Sequence, residues 1–397
     1  MAKDEAKNPV FALDFIDIDS MLSEEEIQIR TTAREFVQRE VSKDIGKYYK
    51  EEKFPMHIIP EMGELGFFGA TLEGYGCAGI NNVAYGLIMQ ELEACDSAIR
   101  SFASVQSALV MWPIYTFGSD EQKSHWLPLL AQGKAVGCFG LTEPQFGSNP
   151  AGMLTRALRD GDSWILNGEK TWITNGSIAD VAIVWAKDVA DHKVKGFLVE
   201  KGTSGFITSD IHEKWSLCAS VSSSLGLLSD CRIPFSNLLP SAIGDSAYLR
   251  CLSQARYGIG WGCIGSAATC FNTALEYDLQ RKQFGNKPLA SHQLVQADFA
   301  YMATEIAKAQ TLALHVGRLK DLGKAQPSQI SMLKDNNARM ALDVARRSRD
   351  LLGANGITHD YPIGRHMMNL ESVVTYEGTH NMHTLIIGER LTGIKAF

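Results

Sequence analysis

SWILNGEKTWIT, residues 163–174, decides the fold class, because it is the clearest strand signal in a chain that otherwise reads as helix. Two alternating segments flank Asn167-Gly168, and an Asn-Gly pair between alternating apolar residues predicts a tight hairpin. Strand-like pieces follow: ADVAIVWAKD (179–188), KGFLVEK (195–201) and GFITSD (205–210). Gly and Asp punctuate them at short intervals, so residues 138 to about 244 read as a β domain, a small barrel or sandwich.

On either side the texture is helical. LSEEEIQIRTTAREFVQREV (22–41) opens with a capping box, Ser23 and Glu26, with Leu22 and Ile27 placed to staple it. Ala33, Phe36, Val37 and Phe54 supply its buried side. Residues 83–111 continue in helical spacing, and DEQKSHWLPLLAQG (120–133) stops at Gly133. Beyond the β region, residues 256–285, 298–323 and 331–353 have the lengths and apolar spacing of a helical bundle, the last ending at Gly353. The expected organisation is α+β and mostly α. It has an N-terminal helical domain (1–137), a middle β domain (138–244) and a C-terminal four-helix bundle (245–397).

Composition narrows the function. The 397 residues suffice for two or three domains around a large core. A net charge of −7 argues against nucleic acid as partner, since phosphate backbones want a basic face. A phosphate-rich cofactor would need locally placed positive charge. The eight Cys form no CxxC pair, so neither a zinc site nor a dithiol motif is indicated, and their apolar settings suit a reducing compartment. The acidic N-terminus resembles neither a secretory signal nor a transit peptide, and no run approaches the ~20 apolar residues of a membrane span. These features lead to the expectation of a bacterial cytoplasmic protein, or a mitochondrial-matrix one if the chain is a mature eukaryotic protein. GxGxxG between strand and helix, GxxxxGK[ST] and GxSxG are absent. His380 and His383, three apart, could face a metal or simply open a helix; no third ligand lies nearby in sequence.

TYEGTH (375–380) places Glu377 between apolar runs. A buried carboxyl there would have a raised pKa and serve as a proton acceptor; the plainer reading is an acid at a helix N-terminus. Arg100 stands between Ile99 and Ser101 with apolar and small residues downstream. A buried guanidinium needs a partner, and a carboxylate fits its planar fork. Glu93, two helical turns earlier, could orient Arg100, tune the charge near a substrate, or simply pair with it.

Five segments in order resemble the acyl-CoA dehydrogenase family: CFGLTEPQFGSN (138–149), KTWITNG (170–176), RKQFG (281–285), LLGANGI (351–357) and TYEGTHNMH (375–383). Within it, ELEACDSAIRSFASVQSALVM (91–111) and the tail from Asn369 resemble the glutaryl-CoA dehydrogenase subfamily. The resemblance implies FAD as cofactor, electron-transfer flavoprotein as acceptor and a homo-oligomer, typically a tetramer. It makes Glu377 the base that takes the α-proton of glutaryl-CoA while the flavin takes the β-hydride. Decarboxylation to crotonyl-CoA and CO₂ would follow. Arg100 would read the distal carboxylate, with Ser101, Glu93 and Tyr376 around it, and Gly378 and the Glu377 N–H beside the thioester. Arg256 and Tyr257, in CLSQARYG (251–258), and Ser148 would meet acyl-CoA.

For FAD, the resemblance assigns Phe139, Leu141, Thr142, Gly147 and Ser148, with Trp172, Ile173 and Thr174 flanking the ring. Arg281, Gln283, Phe284 and Gln293, then Gly353, Asn355 and Gly356, would meet a neighbouring subunit's FAD. Thr379, Asn381 and Phe397 complete the set. RKQFG alone could equally be a charged helix end with a Gly cap. Cys218 stands where the family carries arginine, Ser222-Ser223 where it has Thr-Gly, and Asn149 where it has aspartate; GNKPLAS (285–291) carries an extra residue. The alternatives are a straight-chain acyl-CoA dehydrogenase or oxidase with Arg100 structural, a glutaryl-CoA dehydrogenase that does not decarboxylate, and a non-catalytic flavin- or acyl-CoA-binding scaffold.

Overall fold

The computed structural model describes residues 14–396. The first block is helical: α1 (Glu24–Glu40), α2 (Ile45–Glu51), α3 (Ile59–Glu64), α4 (Asn82–Cys95), α5 (Ser97–Ser104), α6 (Trp112–Phe117) and α7 (Asp120–Ala131). The capping box forms as expected, Ser23 accepting from the Glu26 N–H and Glu26 reaching back to the Ser23 N–H. Residues 83–111 are not one helix. Asp96 leaves helical geometry and caps α5 instead, and a π-helical turn (Val105–Met111) then joins α5 to α6.

The middle block is one eight-stranded sheet of β1 (Gly137–Gly140), β2 (Arg156–Asp160), β3 (Ser163–Thr174), β4 (Val181–Asp188), β5 (Val194–Glu200), β6 (Phe206–Asp210), β7 (Ser222–Pro234) and β8 (Leu238–Ile243). Its order is β6-β7-β3-β2-β4-β5-β8, with β1 parallel to β4. β1 and β2 share one edge of β4 in tandem, β1 along Val181–Val184 and β2 along Lys187 and Asp188. β4 is buried on both faces, which is why it reads as a continuous apolar run. Ala182, Val184 and Ala186 line the core of the β block, while Val181, Ile183 and Trp185 join the helical core.

The hairpin expected at Asn167-Gly168 is absent. β3 runs straight through it, and the turn is at Gly161-Asp162, where Asp160 pairs with Ser163. Gly168 is there for close approach: a Cβ would meet Thr155 Oγ1 at 2.4 Å and Thr155 Cα at 2.7 Å. The register with β7 shifts again between Lys170 and Ile173, where β3 carries one extra residue; Trp172 sits in this bulge at φ 60°.

The third block holds α8 (Asp245–Gln280), a two-stranded ribbon of β9 (Lys282–Gln283) and β10 (Lys287–Pro288), α9 (Gln293–Asp321), α10 (Pro327–Leu351), α11 (Ile363–Val373) and α12 (His380–Thr392). RKQFG therefore leaves its helix and enters the ribbon. Gly353 does sit in the left-handed region, at φ 58°, just past the end of α10. Where one fourth helix was expected, α11 and α12 stand separated by residues 374–379, and this break carries Glu377. α8 packs against both α4 and α10, fusing the two helical blocks into one core.

Candidate active site

α11 ends at Val373, and Thr379 caps α12 by accepting from the Met382 N–H. Between them Glu377 and Gly378 both take positive φ, 54° and 100°. A glutamate in the left-handed region carries a conformational cost of about 1 kcal/mol or more, so its surroundings must hold it there. They do so through three successive carbonyls. Lys334 Nζ donates to Tyr376 O (3.0 Å) and Gly378 O (2.8 Å), and Arg256 Nε donates to Glu377 O (2.7 Å). A Cβ at Gly378 would lie 3.0 Å from the His383 ring.

Glu377 lies two residues before the cap of α12, so it is not the helix-start carboxylate of the plainer reading. Its Oε2 is sealed from solvent and has no hydrogen-bond partner among the described residues. Burial pushes the carboxyl up to about 7, against the pull of Arg256, Lys334 and Arg100. That is the poise of a general base near neutral pH. The Glu377 N–H makes no hydrogen bond among the described residues either, which leaves a donor beside the carboxyl.

Arg100 reaches the same place from α5. It and Glu93 are both buried, with Nε donating to Glu93 Oε2 at 2.5 Å, while Ser97 Oγ donates to Glu93 Oε1 at 2.8 Å. Arg100 Nη2 donates to the Tyr376 hydroxyl. Nη1 has no hydrogen-bond partner among the described residues, yet it is not sealed off. Burial disfavours the charged guanidinium, but Glu93 and Tyr376 more than offset this and push its pKa up. The ion pair foreseen as an alternative is therefore present, and it leaves part of the guanidinium fork free. Ser101 follows, also buried.

A buried cluster ties the two carriers of the site together. Asp96 caps α5 through the Ala98 N–H (2.7 Å) and accepts from Asn369 Nδ2 of α11 (3.0 Å) and from Arg365. Asn369 Oδ1 in turn accepts from the Leu217 N–H (2.7 Å), adding the middle block. Thus α5, which carries Arg100, and α11, which leads into Glu377, have a fixed mutual position. Tyr257 is not brought here. It lies about 100° round α8 from Arg256, and its hydroxyl donates to Asn82 O on the α4 side.

The two segments assigned to the flavin ring do meet: the Thr171 N–H donates to Thr142 O at 2.9 Å. Phe139, Leu141 and Ile173 are buried, Thr142 and Thr174 are half-buried, and Ser148 is exposed. Gly147 has open space where a Cβ would be, and Trp172 stands 62% exposed in its bulge. An open shelf with hydroxyl and backbone polar groups beside a bare aromatic face fits a planar, hydrogen-bonding ring such as isoalloxazine. Arg281, Gln283, Phe284, Gln293, Gly353 and Asn355 are all exposed, Phe284 at 82%, while Gly356 is buried against Arg349 O. No hydrogen bond, ion pair or ring contact links this group to Thr142 or Trp172 among the described residues. Thr379 and Asn381 open α12; Phe397 lies outside the described residues. Neither helix-start histidine joins a metal cluster among the described residues: His380 pairs with Asp335, and His383 is buried without a partner for either ring nitrogen.

Of the departures, Ser223 is put to use. Its hydroxyl donates to Asp210 Oδ1 (2.7 Å) and accepts from the Ser177 N–H (3.1 Å). Cys218 Sγ reaches Lys214 O at 2.9 Å. All eight cysteines are free.

Two residues were missed in the sequence: Lys334 and Gly262. A Cβ at Gly262 would fall 2.0 Å from Glu93 Oε2, so α8 is bare there to admit the Glu93–Arg100 pair. Lys334 had a readable signal: it lies on the buried stripe Ile330–Leu333–Asn337–Ala341 of α10.

The family models for the acyl-CoA dehydrogenase N-terminal, middle and C-terminal domains match residues 23–134, 138–226 and 244–392. The chain belongs to the acyl-CoA dehydrogenase family, and its cofactor is FAD. It is 32% identical over 378 residues to an acyl-CoA dehydrogenase of Bacillus subtilis (strain 168), covering 94% of this chain and 99% of that one. It is 51% identical to a glutaryl-CoA dehydrogenase from Mycobacterium smegmatis solved in complex with FADH2, with a TM-score of 0.95 over 97% of this chain and 99% of that one. A glutaryl-CoA dehydrogenase solved with glutaryl-CoA is 31% identical, with a TM-score of 0.90 over 94% and 96% of the two chains. No helix of the described residues is long and apolar enough to cross a membrane.

Proposed function

We propose that this protein is a glutaryl-CoA dehydrogenase that oxidises and decarboxylates its substrate to crotonyl-CoA and CO₂. Glu377 takes the α-proton of the thioester, and its raised pKa suits it to accept that proton. The Glu377 N–H, which has no other acceptor among the described residues, donates to the thioester oxygen and stabilises enolate charge where it develops. The flavin, when bound, supplies the acceptor for the hydride that leaves Cβ. Arg100 holds the distal carboxylate through its free Nη1 edge, while Glu93 and Tyr376 fix the guanidinium plane. After oxidation the distal carboxylate lies one carbon beyond the new double bond. Loss of CO₂ leaves a dienolate, and protonated Glu377 returns its proton to that carbon. Local positive charge at Arg100, Arg256 and Lys334 suits an anionic substrate despite the net charge of −7.

The exposed ribbon 281–288 and the turn at 353–355 meet the FAD of a second copy, in a homo-oligomer that the family resemblance makes a tetramer. Electrons pass to electron-transfer flavoprotein. The domain boundaries lie near 138 and 244, with the two helical domains packed on a shared core.

The observation that carries the reading is the buried guanidinium with an unpartnered edge, tied to the tyrosine that precedes the base. Product analysis with glutaryl-CoA and an artificial electron acceptor tests it: crotonyl-CoA and CO₂ are expected. An unsaturated dicarboxylyl-CoA would restrict the activity to oxidation, and no turnover would remove the substrate assignment. The competing straight-chain reading takes its support from the Glu93–Arg100 pair being satisfied by itself; it requires butyryl-CoA to be preferred.

A further inference from the structure

Lys334 is fully buried in α10, and its ammonium makes two hydrogen bonds, both to backbone carbonyls. Among the described residues no carboxylate pairs with it: Asp335, its neighbour on α10, is engaged by Arg339 and His380. A buried cation without a counter-ion is costly, and such a group persists where it has a task. The groups that face it are Arg256 and Cys263 from α8, Glu377 and the Tyr376 and Gly378 carbonyls from the turn, and His383 from α12. Among the described residues, the carboxylate that faces it from outside its own helix is that of Glu377.

The geometry points to Lys334 as a positioning residue for the base: it clamps the carbonyls on either side of Glu377, holds the strained turn open, and supplies the positive charge that favours ionised Glu377. The clamp works in two ways. Bonds to O376 and O378 straddle the residue at φ 54°, so the turn cannot relax without leaving a buried ammonium unsatisfied. The charge opposes the desolvation that would otherwise keep Glu377 protonated. Arg256 shares both tasks, through the carbonyl of Glu377 itself. Burial lowers the lysine towards about 8, which is still high enough for it to be mostly charged at neutral pH.

This inference rests on Glu377 being the base, so the test separates the two. Acetyl-CoA has acidic α-protons but no β-carbon, so it cannot be dehydrogenated. With the FAD-loaded full-length enzyme in D₂O, deuterium entering its methyl group reports proton abstraction alone. Glu377→Gln is the control: exchange at the wild-type rate in that variant removes the base assignment, whatever Lys334 does. With that control inactive, Lys334→Met is expected to slow exchange by about tenfold or more and to move the acid limb of its pH profile up by about one pH unit. Lys334→Gln, which keeps an N–H donor but no charge, is read by the same two criteria where Lys334→Met does not fold. An unchanged rate, or a slower rate with an unmoved acid limb, overturns the proposal. Failure of both variants to fold also overturns it, by making Lys334 a requirement of the fold rather than of the base.

Discussion

Gly262→Ala is a one-methyl perturbation whose outcome depends on which of two opposing effects is larger. In an exposed helix interior, replacing glycine by alanine stabilises by about 1 kcal/mol. Here the added Cβ would lie 2.0 Å from Glu93 Oε2, 3.0 Å from its Cδ and 3.2 Å from Arg100 Nε. The carboxylate would have to retreat by at least about 1.4 Å to reach ordinary van der Waals separation. It has little room to do so, since it already holds Arg100 Nε at 2.5 Å and Ser97 Oγ at 2.8 Å. Breaking a buried ion pair costs about 3–5 kcal/mol, so the net effect is a loss of about 2–4 kcal/mol. Scaled to a chain of 397 residues, unfolding entropy converts this to a fall of about 2–5 °C in Tm. Thermal melts of wild type and Gly262→Ala, in one buffer with saturating FAD, measure that term. The same variant should lose glutaryl-CoA turnover more than butyryl-CoA turnover, because the guanidinium plane is no longer fixed. A variant that melts higher than wild type with an unchanged substrate ratio would refute the reasoning, since helix propensity would then outweigh the pair.

Glu377→Gln should retain its fold and flavin absorbance and lose dehydrogenation by about 10²-fold or more, read as flavin bleaching by substrate under anaerobic conditions; near-normal bleaching would place the base elsewhere. In the wild type, kcat/KM should climb with pH through about 7, because the free enzyme must shed the Glu377 proton before it can accept one from substrate. A flat profile from pH 5.5 to 8 would contradict this. Asp278 is buried in α8 with neither oxygen partnered among the described residues, and burial raises its carboxyl to about 6. Between the ordinary carboxylate range and about 6 the folded state holds a proton that the unfolded chain has shed, so stability falls as pH rises across that window. Asp278→Asn should remove this slope from a plot of Tm against pH; a variant with the wild-type slope would show that the group is paired.

Much of this site was legible because its two principal members break a local pattern. Glu377 is an acid between apolar runs and Arg100 a base among small residues, and both conflicts were resolved in space by burial beside each other. The β block was legible for the opposite reason: β4, buried on both faces, is a short, β-branched apolar run between Asp180 and Lys187. The Asn167-Gly168 hairpin failed because a glycine needed for close packing on Thr155 has the same local signature as one needed for a turn. The turn that does form, at Gly161-Asp162, lies six residues upstream, where Asp160 pairs with Ser163. Arg256 and Tyr257 look equivalent in CLSQARYG, yet adjacent helix positions diverge by about 100°, so only one can face Glu377. Gly262 was invisible because α8 carries several glycines, and the one that faces Glu93 is set apart by a partner distant in sequence.

The central claim is that the buried Arg100 guanidinium reads the second acid group of the substrate. The ratio of kcat/KM for glutaryl-CoA to that for butyryl-CoA, in wild type and in Arg100→Ala, tests it most directly. Losing a charge-assisted contact to a desolvated carboxylate should lower this ratio by about 10²–10³-fold, with the butyryl-CoA value changing far less. Equal losses for the two substrates would contradict the claim and leave Arg100 as the structural partner of Glu93.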